Sequence, residues 1–358
     1  MKKKIIIIVV AFAIFTTCFI FKVINSKAKE SLNVGIKVVP TYIDDITDDA
    51  IWCATFNLIW NDLKNDLVKQ DIKFEQENTY VDNLNKETFT ENDISDEYYY
   101  KVYGKKTLSL KNEIEKNIKE KFNQTSDILD KFDWSEDALD NGNSDFERYI
   151  FYTMLYREFK FISKFEKLDK QLFNNKEANY FGIKDNKDSY KNEISVIYYN
   201  NSDDFAIKLL TTSHDEIIIN KNPDGNNFKE IYENMLKKGN SYNGNKEFSS
   251  NDSFKMPYIN INVLKEYTEL ENQKFYDIDK NYLIIEKSLQ TIKFELNETG
   301  GKIKSEAGMD IFKSTSLEHQ DKPRDFNVNK DFAIFLKEEE KNIPYFAGKI
   351  TDITKFQK

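Results

Sequence analysis

The chain has 358 residues, is 40% hydrophobic and 14% aromatic, and carries a net charge of −9 with both signs mixed along it. That content fills one sizeable core, which excludes disorder of the chain as a whole, and without a basic stripe to track phosphates nucleic acid is excluded as a partner. Two histidines, His214 and His319, and two cysteines, Cys18 and Cys53, leave little material for zinc or for cysteine–histidine chemistry, so neither a metal nor a cofactor is expected.

Lys2, Lys3 and Lys4 precede an apolar run over residues 5–21, and Ser26-Lys27-Ala28 offers small residues at the positions a signal peptidase reads. This predicts a signal peptide or N-terminal membrane anchor over residues 1–28 and one exported domain over 29–358, secreted or tethered to the outer face of the cytoplasmic membrane. Membrane contact is expected only through that segment. Phe15-Thr16-Thr17-Cys18 loosely resembles a lipobox, which makes Cys18 the candidate for lipidation. In the mature part Cys53 has no partner, so no disulfide framework is expected.

Over residues 51–69 the apolar Trp52, Phe56, Ile59, Trp60, Leu63 and Leu67 fall at helical spacing, and Asp48 and Asp49 before them suit a helix N-terminus. A core-facing helix is predicted, with Trp52 and Trp60 as core rather than a ligand platform. Residues 75–104 are polar with weak periodicity. Ile114, Ile118 and Phe122 mark a second amphipathic helix, and residues 140–145 read as a loop. Beyond it come short apolar or alternating runs at residues 159–165, 194–199, 205–210, 259–263, 282–296, 332–336 and 345–350, separated by Asn, Asp, Gly or Pro. Helices first and mostly strands later predict an α+β fold.

Three ordered motifs near the C-terminus carry a resemblance. Phe294-Glu295-Leu296-Asn297-Glu298-Thr299-Gly300 resembles the end of the central-sheet strand that leads into the reactive loop of serpins. Phe326-Asn327-Val328-Asn329-Lys330-Asp331-Phe332-Ala333-Ile334-Phe335-Leu336 is similar to that family's C-terminal signature, with Asp331 for a usual Pro and Ala333 for a larger apolar residue. Phe346-Ala347-Gly348-Lys349-Ile350 is similar to its closing strand. Upstream, Met256-Pro257-Tyr258 and the spacing of Tyr156, Phe161 and Phe165 continue the likeness, with Phe161 in place of the family's Trp; a Ser-Pro-rich helix start is missing from residues 70–130, and Gln290 stands where a sheet-opening His is common. The resemblance covers roughly residues 150–358.

The resemblance implies a single serpin-like domain with N-terminal helices, a large central mixed sheet, a second smaller sheet and an exposed loop. The protein would be no enzyme but a monomeric inhibitor, whose loop is bait for a protease and inserts into the central sheet once cut. A segment that enters a half-buried sheet must alternate. After Gly300, the inward set would be Gly301, Ile303, Ser305, Ala307, Met309 and Ile311, with Lys302, Lys304, Glu306, Gly308 and Asp310 outward. Glu298, Gly300, Gly301, Ile303, Ser305 and Ala307 thus form the candidate hinge. Ile303 is bulky for an inserting strand, at a cost of about 1–3 kcal/mol unless the facing surface accepts it. A permanent half-buried strand over residues 301–311 fits the same pattern.

Family spacing from Glu298 puts the scissile region at Phe312-Lys313-Ser314, where Lys313 would invite a trypsin-like protease and Phe312 a chymotrypsin-like one. Residues 318–325 read as an exposed tail of the loop. Two functions remain: a protease inhibitor, or a non-inhibitory serpin-fold binding or cell-surface protein whose loop does not insert. Ser213-His214-Asp215 reads as a solvated turn, since adjacent side chains do not form a triad. The acidic pairs and the run Glu338-Glu339-Glu340 lack calcium-loop spacing and fit a helix start and a hairpin turn.

Overall fold

The computed structural model describes residues 32–140, 147–184, 190, 193–302 and 323–357. Cys18, Ile303, Ser305, Ala307, Phe312, Lys313, Ser314 and His319 lie outside them, as do the expected loop at 141–145 and the segment 1–28. No helix among the described residues is long and apolar enough to cross a membrane.

The apolar runs build a seven-stranded sheet in the order Lys37–Val38, Ala50–Cys53, Phe346–Ile350, Phe332–Glu338, Asp215–Lys221, Asp204–Leu210, Ile194–Asn201. Its first two strands are parallel and the rest antiparallel. Phe332–Glu338 is buried along its whole length, which is why it reads as a continuous apolar run. One of its faces packs on the helix Phe228–Ser241, with Tyr232 5.2 Å from Phe335; on the other, Phe346 meets Phe294 at 4.9 Å.

Phe294 belongs to the sheet that carries the candidate hinge. Its order is Ile259–Glu266, Leu289–Asn297, Gly300–Lys302, Phe159–Lys160, antiparallel throughout. A further four-stranded sheet runs Asp325–Asn327, Ser253–Pro257, Lys176–Gly182, Glu166–Phe173. Tyr99–Lys105 pairs with Tyr149–Leu155, and the latter continues through residues 156–158 into Phe159–Lys160. The helix Leu108–Phe122, capped by Thr107 and closed by left-handed Asn123, lies over this pair through Ile114 and Ile118 against Ile150 and Tyr152. The fold is α+β, as expected, with the helices concentrated before residue 123.

Several expected elements differ. The predicted helix over 51–69 is a strand, Ala50–Cys53, followed by a helix, Thr55–Asp62, and a π-helical turn, Leu63–Val68. Trp52 is core, as read, but stands on the strand, because Ala50–Cys53 pairs with Phe346–Ile350. Asp49 starts no helix. It is buried and accepts from the amides of Thr351 and Asp352 at 2.6 and 2.9 Å and from Lys355 Nζ at 2.6 Å. The run at 282–296 is two strands, Tyr282–Ile284 and Leu289–Asn297, and the weakly periodic 75–104 contains the helix Thr79–Leu84 and the strand Tyr99–Lys105.

Candidate functional site

Leu289–Asn297 ends at Asn297, whose side chain accepts from the amide and hydroxyl of Thr299 at 2.9 and 2.6 Å and so closes a tight turn. The chain then reverses. Gly300–Lys302 pairs on one side with Glu295, Leu296 and Asn297, and on the other Gly300 and Gly301 pair with Lys160 and Phe159. Both glycines are required here. Gly300 has φ +130°, where L side chains are strained, and a Cβ on it would meet Phe159 O at 2.3 Å. A Cβ on Gly301 would lie 2.4 Å from the Phe159 ring and 2.7 Å from Glu295 O.

The turn is clasped from outside by Glu298. Its carboxylate accepts from Tyr258 Oη at 2.7 Å and lies 3.6 and 3.8 Å from Lys167 Nζ and Lys164 Nζ, while its carbonyl accepts from Phe165 N at 2.9 Å. Burial pushes the Glu298 carboxyl up, but the Tyr258 hydroxyl and the two lysines outweigh it and hold it below the ordinary glutamate value.

Below the hinge the sheet has a gap among the described residues. Leu289–Asn297 is paired along one edge with Ile259–Glu266, and on its other edge only its last three residues are paired, with the hinge strand. Tyr149–Leu155 is paired on one edge only, with Tyr99–Lys105. Leu155 packs toward the main core cluster and Phe151 toward the smaller cluster around Phe56 and Trp60, whereas Ile150, Tyr152 and Met154 pack toward the Leu108–Phe122 helix. Gln290 is not a free sheet-opening group. It accepts from Tyr267 Oη at 2.6 Å and donates to Cys53 O at 3.0 Å and Thr55 Oγ1 at 2.9 Å, tying the gap-lining strand to the Ala50–Cys53 strand and the helix after it. Gln290→Leu, similar in bulk, is expected to cost about 1–3 kcal/mol by leaving the buried Tyr267 hydroxyl and Cys53 carbonyl unpaired. The urea midpoint measures it, and an unchanged midpoint would mean that the amide is dispensable.

No family model matches the chain, and no curated protein matches it either. Among solved structures it is similar to Serpin48, a highly specific serpin in the insect Tenebrio molitor, at 14% identity and a TM-score of 0.39, over 72% of this chain and 77% of that one. It is also similar to thyroxine-binding globulin in complex with thyroxine, at 13% identity and a TM-score of 0.40, over 68% and 64%. The likeness is to a serpin-like arrangement at low identity and concerns the fold alone.

Of the candidate hinge, the structure brings Glu298, Gly300 and Gly301 together at the head of the gap. Sequence reasoning missed two groups. Arg324 does not belong to an exposed tail. It is buried against Asp252, with Nη2 2.7 Å from Oδ2, and donates to the carbonyls of Asn245 and Glu247, so it fixes the chain where Asp325–Asn327 begins. Ser213-His214-Asp215 is only in part a solvated turn. His214 is exposed with φ 57°, but Asp215 is buried against Arg157 at 2.6 Å. An Asp just before the apolar run Ile217-Ile218-Ile219 was the available signal.

Proposed function

We propose that the chain is an exported, serpin-like inhibitor of a serine or cysteine protease, whose residues beyond Lys302 act as bait and enter the gap between Leu289–Asn297 and Tyr149–Leu155 after cleavage. The observation that carries this reading is the hinge strand, seated between two strands at the head of that gap. Continuing both registers one residue per step would set positions 303–308 opposite 294–289 and positions 303–311 opposite 157–149. The alternating segment would therefore end level with Tyr149, where the gap-lining strand begins. Its odd-numbered residues would share a face with Phe294, Ile292 and Gln290 on one side and Leu155 and Phe151 on the other, which suits an apolar inward set. Nothing in this mechanism asks the chain to perform chemistry: the attacking group is the target's. Lys313 points to a trypsin-like partner and Phe312 to a chymotrypsin-like one.

A non-inhibitory reading is favoured by the Gln290 bonds, which pin one wall of the gap, and by the bulk of Ile303. Nicking the loop near Lys313 and heating the protein separates the two. A large rise in melting temperature, with SDS-stable complexes on incubation with the protease, is expected for the inhibitor; an unchanged melting temperature and clean turnover of the loop would establish the alternative.

A further inference from the structure

Residues 156–158, which join Tyr149–Leu155 to Phe159–Lys160, carry a second site that does not depend on whether the loop inserts. Arg157 turns under the sheet and is almost wholly buried, its side chain 2% exposed. Its Nε donates to Asp215 Oδ2 at 2.6 Å, its Nη2 to Ser213 O at 3.2 Å, and its Nη1 lies 3.2 Å from Glu338 Oε1 without hydrogen-bond geometry. Asp215 and Glu338 are direct register partners on neighbouring antiparallel strands, where like charges repel unless a cation bridges them. Tyr345 Oη donates to Asp215 Oδ1 at 3.1 Å, and Ser95 donates to Glu338 through its amide at 2.9 Å and its hydroxyl at 2.7 Å. The Tyr98 ring covers the guanidinium at 3.5 Å.

We propose that Arg157, Asp215 and Glu338 form a proton-dependent latch between the seven-stranded sheet and the strand segment 149–160, which holds that segment more firmly in mildly acidic solution than at neutral pH. Two buried carboxylates against one guanidinium leave one negative charge in excess, and the cluster is relieved when it takes up a proton. Burial, with Glu338 adding to it, pushes the Asp215 carboxyl from 3.8 up to about 6, against the opposing pull of Arg157 and Tyr345. A state in which the segment has lifted away exposes Asp215 to water and returns its carboxyl to the ordinary range. Closing therefore binds a proton between those limits, and opening becomes easier as pH rises through about 6.

The other charged groups nearby face elsewhere. Lys337 bonds Glu216 at 2.9 Å and the carbonyls of Glu338, Glu339 and Lys341, and His214 pairs with Glu339 at 3.2 Å on the exposed side. Glu97 neighbours Tyr98, whose phenol burial pushes upward, away from this pH range.

Hydrogen exchange on the full chain between pH 5 and 7.5, corrected for the intrinsic rate, tests the latch. Opening of residues 149–160 should be ~10-fold rarer at pH 5 than at pH 7.5 in the native protein and in His214→Asn, and nearly independent of pH in Asp215→Asn. Should Asp215→Asn fail to fold, Glu338→Gln serves: it takes away the charge that adds to burial, so the step should move to lower pH while burial keeps part of it. A pH course unchanged in the Asp or Glu variant, or opening that grows more frequent toward pH 5, would overturn the proposal.

Discussion

Gly301→Val is expected to expel the hinge strand from the central sheet while the rest of the fold stays in place. The nearest atoms to an added Cβ belong to the Phe159 ring and the Glu295 carbonyl, at 2.4 and 2.7 Å. Neither can retreat: Phe159 is buried, and Glu295 is held in register with Asn260 on the neighbouring strand. Overpacking of this kind costs about 1–3 kcal/mol, and here it falls on three residues whose ladder is their main support. The uncut variant should lose only part of its stability, but the rise in melting temperature after nicking near Lys313 should vanish. If the nicked variant gains as much as the nicked native protein, entry of the loop does not start from Gly300–Lys302, and the proposed route into the gap is wrong.

Arg157→Met is expected to be among the most costly single changes in the chain. Removing the guanidinium leaves Asp215 and Glu338 buried and facing each other with no cation between them, a situation worth about 3–5 kcal/mol of lost stability. The loss should shrink in mild acid. Without Arg157, which pulls it down, the Asp215 carboxyl is pushed still higher in the folded state, so the folded variant binds a proton that the unfolded chain gives up, and stability falls as pH rises through the raised value. Urea unfolding of native and variant proteins at pH 5 and pH 7.5 reads both effects. An equal loss at the two pH values would mean that Arg157 acts through its bulk and its stacking on Tyr98 rather than through charge.

The parts of the fold legible in the sequence are those set by local periodicity. Ile114, Ile118 and Phe122 recur at helical spacing and form one face of Leu108–Phe122, and the run at 332–336 is apolar throughout because Phe332–Glu338 lies at the centre of a sheet covered on both faces. Glu298, Gly300 and Gly301 were found by motif, and the distances at the two glycines supply a steric reason for them.

Other features escaped because their cause lies far along the chain. Trp52 continues the helical spacing of Phe56 and Trp60, so Ile51, Trp52 and Cys53 read as the start of that helix. They become a strand because Phe346–Ile350 offers an open edge. Asp49 looks like a helix start and is instead the acceptor for the last turn of the chain, around residues 351–355. Gln290 looks like a departure from a pattern until Tyr267, Cys53 and Thr55 are placed around it.

By itself the sequence determined the α+β class, the second helix and most of the core strands, because hydrophobic spacing acts within a few residues, and it singled out Gly300 and Gly301, where the structure has no room for a Cβ. Tertiary structure alone decided that Gly300–Lys302 sits between two partner strands, and that Arg157 meets two facing carboxylates. A ladder register and the burial of a charge are set by residues brought together across the fold, and no short window of sequence contains both sides of such a contact.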